Sequence, residues 1–195
     1  IEVKNGYIYA ITNGLVGAQI NFDLISVTAT ENIIMAAALA KGITTINNAA
    51  QEPEVTDLVR CLKKMGAKIS GENTSTLMIE GVDHLSGVEY SICPDRIEAG
   101  TFMVAAAMTG GHVICNNVNP EEMESITQKI KESGAKVEIS ENSISVTGNK
   151  KLESVKIITG SSWLFGLAEA MCLLWGVMSR LFKHWLASTY CLIFL

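Results

Sequence analysis

The stretch Ser26–Asn32, which reads SVTATEN, follows a short apolar segment at 18–22 and precedes an alanine-rich segment. Thr28 and Glu31 have the spacing of a capping box, in which a hydroxyl and a carboxylate three residues later satisfy amides at a helix start. The sequence therefore predicts a strand over 18–22 that leads into a helix over 29–40. Free amides at such a start suit a phosphate group, and a threonine cap equally begins helices that bind nothing.

The chain continues with further strands and helices to about residue 82. β-branched residues at 43–46 predict a strand. The stretch 52–54 (EPE) has the proline and acidic residues that favour the first turn of a helix. Apolar residues then recur at helical spacing until Gly66, and two short strands around 71–73 predict a hairpin. The expected unit is βαβαββ, with strands at 18–22, 43–46, 68–70 and 76–79.

A second copy of this unit follows at roughly 68 residues' distance, an internal repeat that fixes the architecture. Asn47-Asn48 and Asn116-Asn117 fall at the same place in the two copies. The second copy is predicted to begin with a strand over 88–93. A helix follows, and a second capping box, formed by Asp95 and Glu98, is predicted at its start. The predicted fold class is therefore α/β (α+β), built from repeated βαβαββ subunits.

Composition and charge argue against several classes of protein. The net charge of -5 argues against a nucleic-acid partner, because phosphate backbones need a Lys/Arg-rich face. The five cysteines are odd in number and widely spaced, which fits a reducing cytoplasm better than a disulfide framework. With no Cys-x-x-Cys or His/Cys cluster we expect no metal site. Ile1 is not a methionine, which suggests a piece of a longer chain.

Four motifs carry a resemblance to a known family: Val27–Asn32, Asn48–Glu54, Met65–Gly71 and Pro94–Thr101. With these motifs the chain resembles the UDP-N-acetylglucosamine 1-carboxyvinyltransferases, a family of enolpyruvyl transferases, from about residue 6 to about residue 159. The resemblance implies transfer of enolpyruvyl from phosphoenolpyruvate to the 3′-hydroxyl of UDP-N-acetylglucosamine, the first committed step of peptidoglycan synthesis. It also implies a cytoplasmic protein without a cofactor, in a pathway that serves cell-wall biogenesis, cell shape and division.

The resemblance also implies the domain organisation. The family fold is an inside-out barrel of two domains with three subunits each, so this chain holds an incomplete set. Residues 1–93 would be the latter part of the first domain, and 94–159 would begin the return into the second. Residues 160–195 match nothing in the family and read as an unrelated hydrophobic tail, as a frameshift or a spliced foreign end would produce. The tail's apolar run is shorter than the roughly 20 residues of a membrane span, so we expect any membrane contact to be non-functional.

By resemblance, substrate contacts fall on the residues before and at the start of the first helix: Leu24, Ile25, Ser26, Val27 and Thr28. The Ser26 hydroxyl and the amides near Val27 have the chemistry to bind a diphosphate oxygen. Many relatives have glycine where this chain has Thr28, and some have lysine or proline near Leu24 and Ile25.

A charged set, Asp95, Arg96 and Glu98, lies where the resemblance places the crossing between domains. These side chains would line the cleft or hinge, or would serve only as a helix cap with its dipole partners. Cys115 lies in an apolar strand, where cysteine packs as a small hydrophobe, and it is not expected to be the family's proton donor. No catalytic residue of the family is expected within this chain.

Three functions stay open from the sequence. The first is the carboxyvinyltransferase reaction, with the isolated chain inactive because its proton donor, base and phosphate cradle lie elsewhere. The second is a non-catalytic remnant that binds a UDP-sugar weakly or not at all. The third is an enzyme like 5-enolpyruvylshikimate-3-phosphate synthase, which shares the fold and differs at the quoted motifs.

Overall fold

A computed structural model describes residues 1–149 and 151–155, and the chain divides between Cys93 and Pro94 into two compact units. The first unit contains β1 (Glu2–Lys4), β2 (Tyr7–Tyr9), β3 (Gln19–Asn21), α1 (Val27–Ala37), β4 (Ile43–Asn47), α2 (Pro53–Lys64), β5 (Lys68–Ser70) and β6 (Thr76–Glu80). The second contains α3 (Arg96–Thr109), β7 (His112–Asn116), a 3-10 turn (Glu121–Met123), α4 (Glu124–Glu132), β8 (Lys136–Ile139) and β9 (Ser143–Thr147).

The first unit is a four-stranded mixed sheet packed against α1 and α2. Its strand order is β3-β4-β6-β5, with β3 and β4 parallel and the other pairs antiparallel. Strand residues alternate in burial, as expected for a sheet with one covered face. The buried core comprises Ile34, Ile46, Val55, Val59, Leu62, Leu77 and Ile79, with alanines where α1 packs closely. The exposed β1–β2 hairpin forms a separate two-stranded sheet.

The second unit is a three-stranded antiparallel sheet, in the order β7-β9-β8, packed against α3 and α4. Its core comprises Met103, Val104, Met123, Ile126, Ile130, Ile144 and Val146, again with alanines from the first helix. Before α4 the chain forms the 3-10 turn, and the Asn119 side chain accepts a hydrogen bond from the Glu121 amide. Met123, Ile126 and Ile130 of this segment are buried.

The internal repeat is visible in backbone details. Asn48 and Asn117 both adopt left-handed conformations, with φ of 58° and 56°. Gly66 and Gly134 end α2 and α4 with φ of 104° and 92°, a conformation that glycine adopts without strain. The predicted α/β repeat is therefore confirmed over the helices and the hairpins of both units.

One predicted strand is absent. Residues 88–93 were expected to form the first strand of the second copy, and they form none. The Asp57 carboxylate instead accepts hydrogen bonds from the Tyr90 hydroxyl at 2.8 Å and from the Cys93 amide at 3.2 Å. Because this segment bonds to a side chain of α2, its alternating apolar pattern does not produce a sheet. Among the described residues, the second unit therefore lacks a counterpart of β3.

The predicted capping box at Thr28 is also wrong. Ser26 is the N-cap of α1, and its hydroxyl oxygen accepts a hydrogen bond from the Ala29 amide at 3.3 Å. The carbonyl of Thr28 already lies within the helix, where it accepts from the Asn32 side chain. A serine two residues earlier reaches the third amide of the helix, so Glu31 falls too far along for a capping box. The helix accordingly spans Val27–Ala37 rather than 29–40.

No helix among residues 1–149 and 151–155 combines the length and hydropathy needed to cross a membrane. The predicted hydrophobic tail at 160–195 lies outside the described residues.

Candidate functional site

The candidate site lies at one edge of the first unit's sheet. Parallel strands β3 and β4 end at Asn21 and Asn47, and α1 begins shortly after β3. The Asn47 side-chain amide donates to the Asn21 side-chain oxygen at 2.6 Å. The Asn48 side-chain amide donates to the Phe22 backbone carbonyl at 3.0 Å. These bonds hold the two strand ends together. In α/β sheets, ligands bind outside the carboxyl ends of parallel strands.

The five residues predicted to contact substrate surround the start of α1. Leu24 is 82% exposed and Ile25 is 39% exposed, while Thr28 is also exposed. Ser26 and Val27 are half-buried, and Val27 packs partly against the core. The face ahead of the helix is therefore open to a ligand, as the prediction required.

The start of α1 offers unused hydrogen-bond donors. The Ser26 hydroxyl oxygen accepts a hydrogen bond only from the Ala29 amide. The Ser26 carbonyl accepts hydrogen bonds from the amide and the hydroxyl of Thr30. The amides of Val27 and Thr28 find no acceptor within the described part of the chain. Two adjacent N–H groups at the positive end of an 11-residue helix form a site whose chemistry suits an anion.

Acidic side chains lie close to this start, and their sequence pattern indicated no binding role. Burial raises the pKa of Glu31, and repulsion from the carboxylates of Glu54 and Glu52 raises it further. Glu52 is only 5% exposed. The EPE motif predicted a helix start correctly, and nothing in its pattern indicated that Glu52 would be buried. None of the His, Cys, Asp and Glu groups in the described ranges is arranged to hold a metal ion.

The charged set predicted for the cleft belongs to the second unit. The Asp95 carboxylate caps α3 by accepting from the amides of Ile97 at 2.8 Å and Glu98 at 3.0 Å. Arg96 is buried at 7% exposure, and Glu98 is exposed in the first turn. The Asp95 cap is confirmed, whereas a cleft or hinge role for the three residues stays a prediction.

The cysteine in β7 behaves as a packing residue. Cys115 is half-buried against the second unit's core, and burial raises the pKa of its thiol. Its sulfur lies 3.8 Å from the Ala99 carbonyl oxygen. A raised pKa makes this thiol a weaker acid, and the expectation that Cys115 is not the family's proton donor stays a prediction.

The chain is similar to known proteins over most of its length. The family model for EPSP synthase (3-phosphoshikimate 1-carboxyvinyltransferase) matches residues 1–179, which extends beyond residue 159, where the resemblance was expected to end. The chain is 58% identical over 162 residues to the UDP-N-acetylglucosamine 1-carboxyvinyltransferase of Ruthia magnifica, covering 83% of this chain and 39% of that protein. It is 62% identical over 144 residues to the protein of the same name from Vesicomyosocius okutanii, covering 74% and 34%.

Solved structures show the same fold. The enolpyruvyl transferase NikO from Streptomyces tendae superposes with a TM-score of 0.69 at 20% identity, over 84% of this chain and 42% of that one. The EPSP synthase of Acinetobacter baumannii gives 0.51 at 23% identity, over 74% and 34%. The chain thus spans well under half the length of the curated relatives and structures it matches.

Proposed function

The chain belongs to the EPSP synthase (3-phosphoshikimate 1-carboxyvinyltransferase) family, and from that premise we propose that it is part of a UDP-N-acetylglucosamine 1-carboxyvinyltransferase. The reaction transfers the enolpyruvyl group of phosphoenolpyruvate to the 3′-hydroxyl of UDP-N-acetylglucosamine and releases phosphate. Support comes from relatives of that name at 58% and 62% identity. On this proposal the protein acts in the cytoplasm, in peptidoglycan synthesis and hence in cell shape and division.

The contribution of this chain is to bind the diphosphate of the sugar nucleotide. The observation that carries the proposal is the pair of unbonded amides at Val27 and Thr28, on an open face at the ends of β3 and β4. The Ser26 hydroxyl accepts from the helix and keeps its own hydrogen to donate to a phosphate oxygen. The exposed side chains of Leu24 and Ile25 flank the same position.

We propose that the isolated chain binds the sugar nucleotide and does not catalyse the transfer of enolpyruvyl. Addition and elimination at the enolpyruvyl carbon need a proton donor, a base and a cationic group for the phosphate. The family resemblance assigns none of these to residues of this chain. We also propose a first-domain part at 1–93 and a second-domain part that begins at 94, with the subunits forming an incomplete inside-out barrel. Because the family match extends to residue 179, we do not propose that the chain becomes unrelated to the family at residue 160.

A matched pair of variants at Val27 isolates the amide. Proline is tolerated at the first helical position, and Ser26 already has the extended conformation that a following proline requires. Val27→Pro therefore removes one N–H donor, whereas Val27→Ala loses a comparable amount of side-chain packing and keeps the amide. Comparing the two variants separates the loss of the donor from the loss of packing.

The test is a thermal-shift and NMR titration with UDP-N-acetylglucosamine at millimolar concentration. Selective binding to the folded form raises the melting temperature. We expect a rise for the wild type and Val27→Ala and a clearly smaller rise for Val27→Pro, with the Val27 and Thr28 amide resonances shifting. Equal effects from uridine, which lacks the diphosphate, or equal responses of the two variants, would overturn the proposed diphosphate site.

The family model's own description favours a second candidate substrate, the shikimate phosphate of the sister enzyme. Including shikimate 3-phosphate in the same titration separates the two. A larger melting shift with that ligand than with the sugar nucleotide would favour the sister activity. No shift with either ligand would leave a non-catalytic remnant.

A further inference from the structure

Glu52 is an unusual carboxylate. It occupies the N-cap position of α2 at 5% exposure, yet its side chain makes no capping hydrogen bond. Its Oε2 is the single buried side-chain nitrogen or oxygen without a hydrogen-bond partner in the described ranges. Buried polar groups are nearly always paired, and leaving a buried charge unpaired is costly. Such an oxygen indicates a partner that is missing from the described residues.

The backbone holds Glu52 in place, so the side chain cannot easily move to water. The Glu52 carbonyl accepts from the amides of Val55 and Thr56, which anchors it to the first turn of α2. Just before it, the buried Ala50 amide donates to the Thr30 hydroxyl of α1 at 3.1 Å. This bond fixes the entry of α2 against α1, where Glu31 follows directly after Thr30.

Further negative charge surrounds the same position. Glu31 is half-buried on α1, and Glu54 lies in the first turn of α2. Burial raises the pKa of Glu31, and repulsion from the carboxylates of Glu54 and Glu52 raises it further. Neither Glu31 nor Glu52 hydrogen-bonds to a cationic side chain in the described part of the chain.

We propose that Glu31 and Glu52 form a binding site for a guanidinium group. A guanidinium ion presents a planar fork of donors that matches carboxylates, and its weak hydration makes it the preferred cation for buried ion pairs. A metal ion is less suitable, because the described acidic residues do not converge as metal ligands. The site is distinct from the anion-binding amides of Val27 and Thr28, so it does not depend on the proposed substrate.

The guanidinium can come from two sources. Relatives are more than twice as long as the matched part of this chain, so an arginine elsewhere in a longer polypeptide is one source. A free ligand or peptide with an arginine is the other. Both sources present the same group to Glu52, and the experiment below separates them.

The test is a titration of the 195-residue chain with methylguanidinium chloride, followed by the 13Cδ resonances of the glutamates. We expect saturable shifts at Glu52 and Glu31 that sodium chloride and tetramethylammonium chloride do not reproduce. Glu52→Gln should weaken binding by about tenfold or more, since a charge-assisted hydrogen bond is lost. Glu98→Gln, the same charge change at an exposed helix start in the second unit, should leave the affinity unchanged.

Two outcomes would overturn the site: shifts that tetramethylammonium or Mg²⁺ reproduces, or a Glu52→Gln variant that binds like the wild type. The source is then tested in a longer polypeptide that includes the part present in the relatives. If the Glu52 resonance already has its bound position there and methylguanidinium adds no shift, the arginine is intramolecular. If methylguanidinium still shifts it, the ligand is free.

Discussion

Replacing Thr30 by valine tests how α1 and α2 are joined. Thr30 is completely buried, and its hydroxyl donates to the Ser26 carbonyl at 2.7 Å while accepting from the Ala50 amide at 3.1 Å. Valine has nearly the same shape and no hydroxyl, so the substitution opens little cavity. Its main effect is to leave the Ala50 amide, in a residue 2% exposed, without an acceptor.

The magnitude follows from this one lost acceptor. A buried amide left unsatisfied costs about 1–3 kcal/mol. The Ser26 carbonyl still receives the backbone amide of residue 30 at 3.0 Å, so it adds little to the cost. We expect Thr30→Val to lower the free energy of unfolding of the first unit by about 2 kcal/mol. For a unit of this size that corresponds to a fall in melting temperature of roughly 10 °C.

Hydrogen exchange measured by NMR, together with urea unfolding, provides the assay. In Thr30→Val the Ala50 amide should lose most of its protection. Thr127→Val in the second unit is the control, because Thr127 is equally buried and its hydroxyl donates only to the Glu124 carbonyl within its own helix segment. If Thr30→Val costs no more than Thr127→Val and Ala50 stays protected, the inferred bridge between the helices is wrong.

Three further outcomes follow from individual contacts. A Cβ at Gly81 would overlap the backbone carbonyl of Ala40, after α1, so Gly81→Ala should destabilise the first unit by about 1–3 kcal/mol. Gly87→Ala is the control, because a Cβ there meets open space and should not change stability. Urea unfolding measures both. Burial and the hydrogen bond to Asp57 raise the pKa of Tyr90 to about 12, so its contribution to stability should be complete below about pH 10 and decline as the pH rises to 12. Unfolding midpoints compared with Tyr90→Phe across that range check this, and a parallel decline in both proteins would contradict it. Burial raises the pKa of the Cys115 thiol, so its alkylation, measured by peptide mass spectrometry, should accelerate only above the ordinary pKa of a thiol. Half-maximal alkylation near neutral pH would refute this.

Periodicity predicted the helices and hairpins well, because these elements bury one face. The spacing of Val55, Val59 and Leu62 identified the inward face of α2, and all three are buried. The same reasoning failed at 88–93, where apolar alternation predicted a strand. Whether such a segment pairs in a sheet depends on partners elsewhere in the chain, and here Asp57 supplies them. Local patterns contain no information about those partners.

The candidate site was predictable only in part. The strand-to-helix junction at Ser26–Thr28 follows from local sequence, whereas its contact with substrate stays a prediction. The cap was misplaced because serine and threonine are both good caps and the spacing to Glu31 favoured Thr28. The burial of Glu52 was not predictable from the sequence, since acidic residues at a helix start are normally solvated.

The two units share one architecture and differ at the start of their first helix. Asp95, the cap of α3, uses its carboxylate on two successive amides, those of Ile97 and Glu98. Ser26, the cap of α1, accepts from a single amide, that of Ala29, which is the third residue of its helix as Glu98 is of α3. The negative charge of Asp95 repels an anion, and its two bonds occupy donors that an anion would need. On the proposed function, we therefore expect the cap residue to decide which copy of the unit binds a phosphate.

Ser26→Asp tests that argument directly. Aspartate caps helices as well as serine does, so α1 should keep its stability or gain slightly. As Asp95 does in α3, its carboxylate would take the second and third amides of the helix, here Thr28 and Ala29, and would repel a diphosphate. We therefore expect the melting shift with UDP-N-acetylglucosamine to disappear. Ser26→Asn, a neutral cap of the same shape, should retain most of the shift. If Ser26→Asp responds to the sugar nucleotide as the wild type does, the amides at the start of α1 are not where it binds.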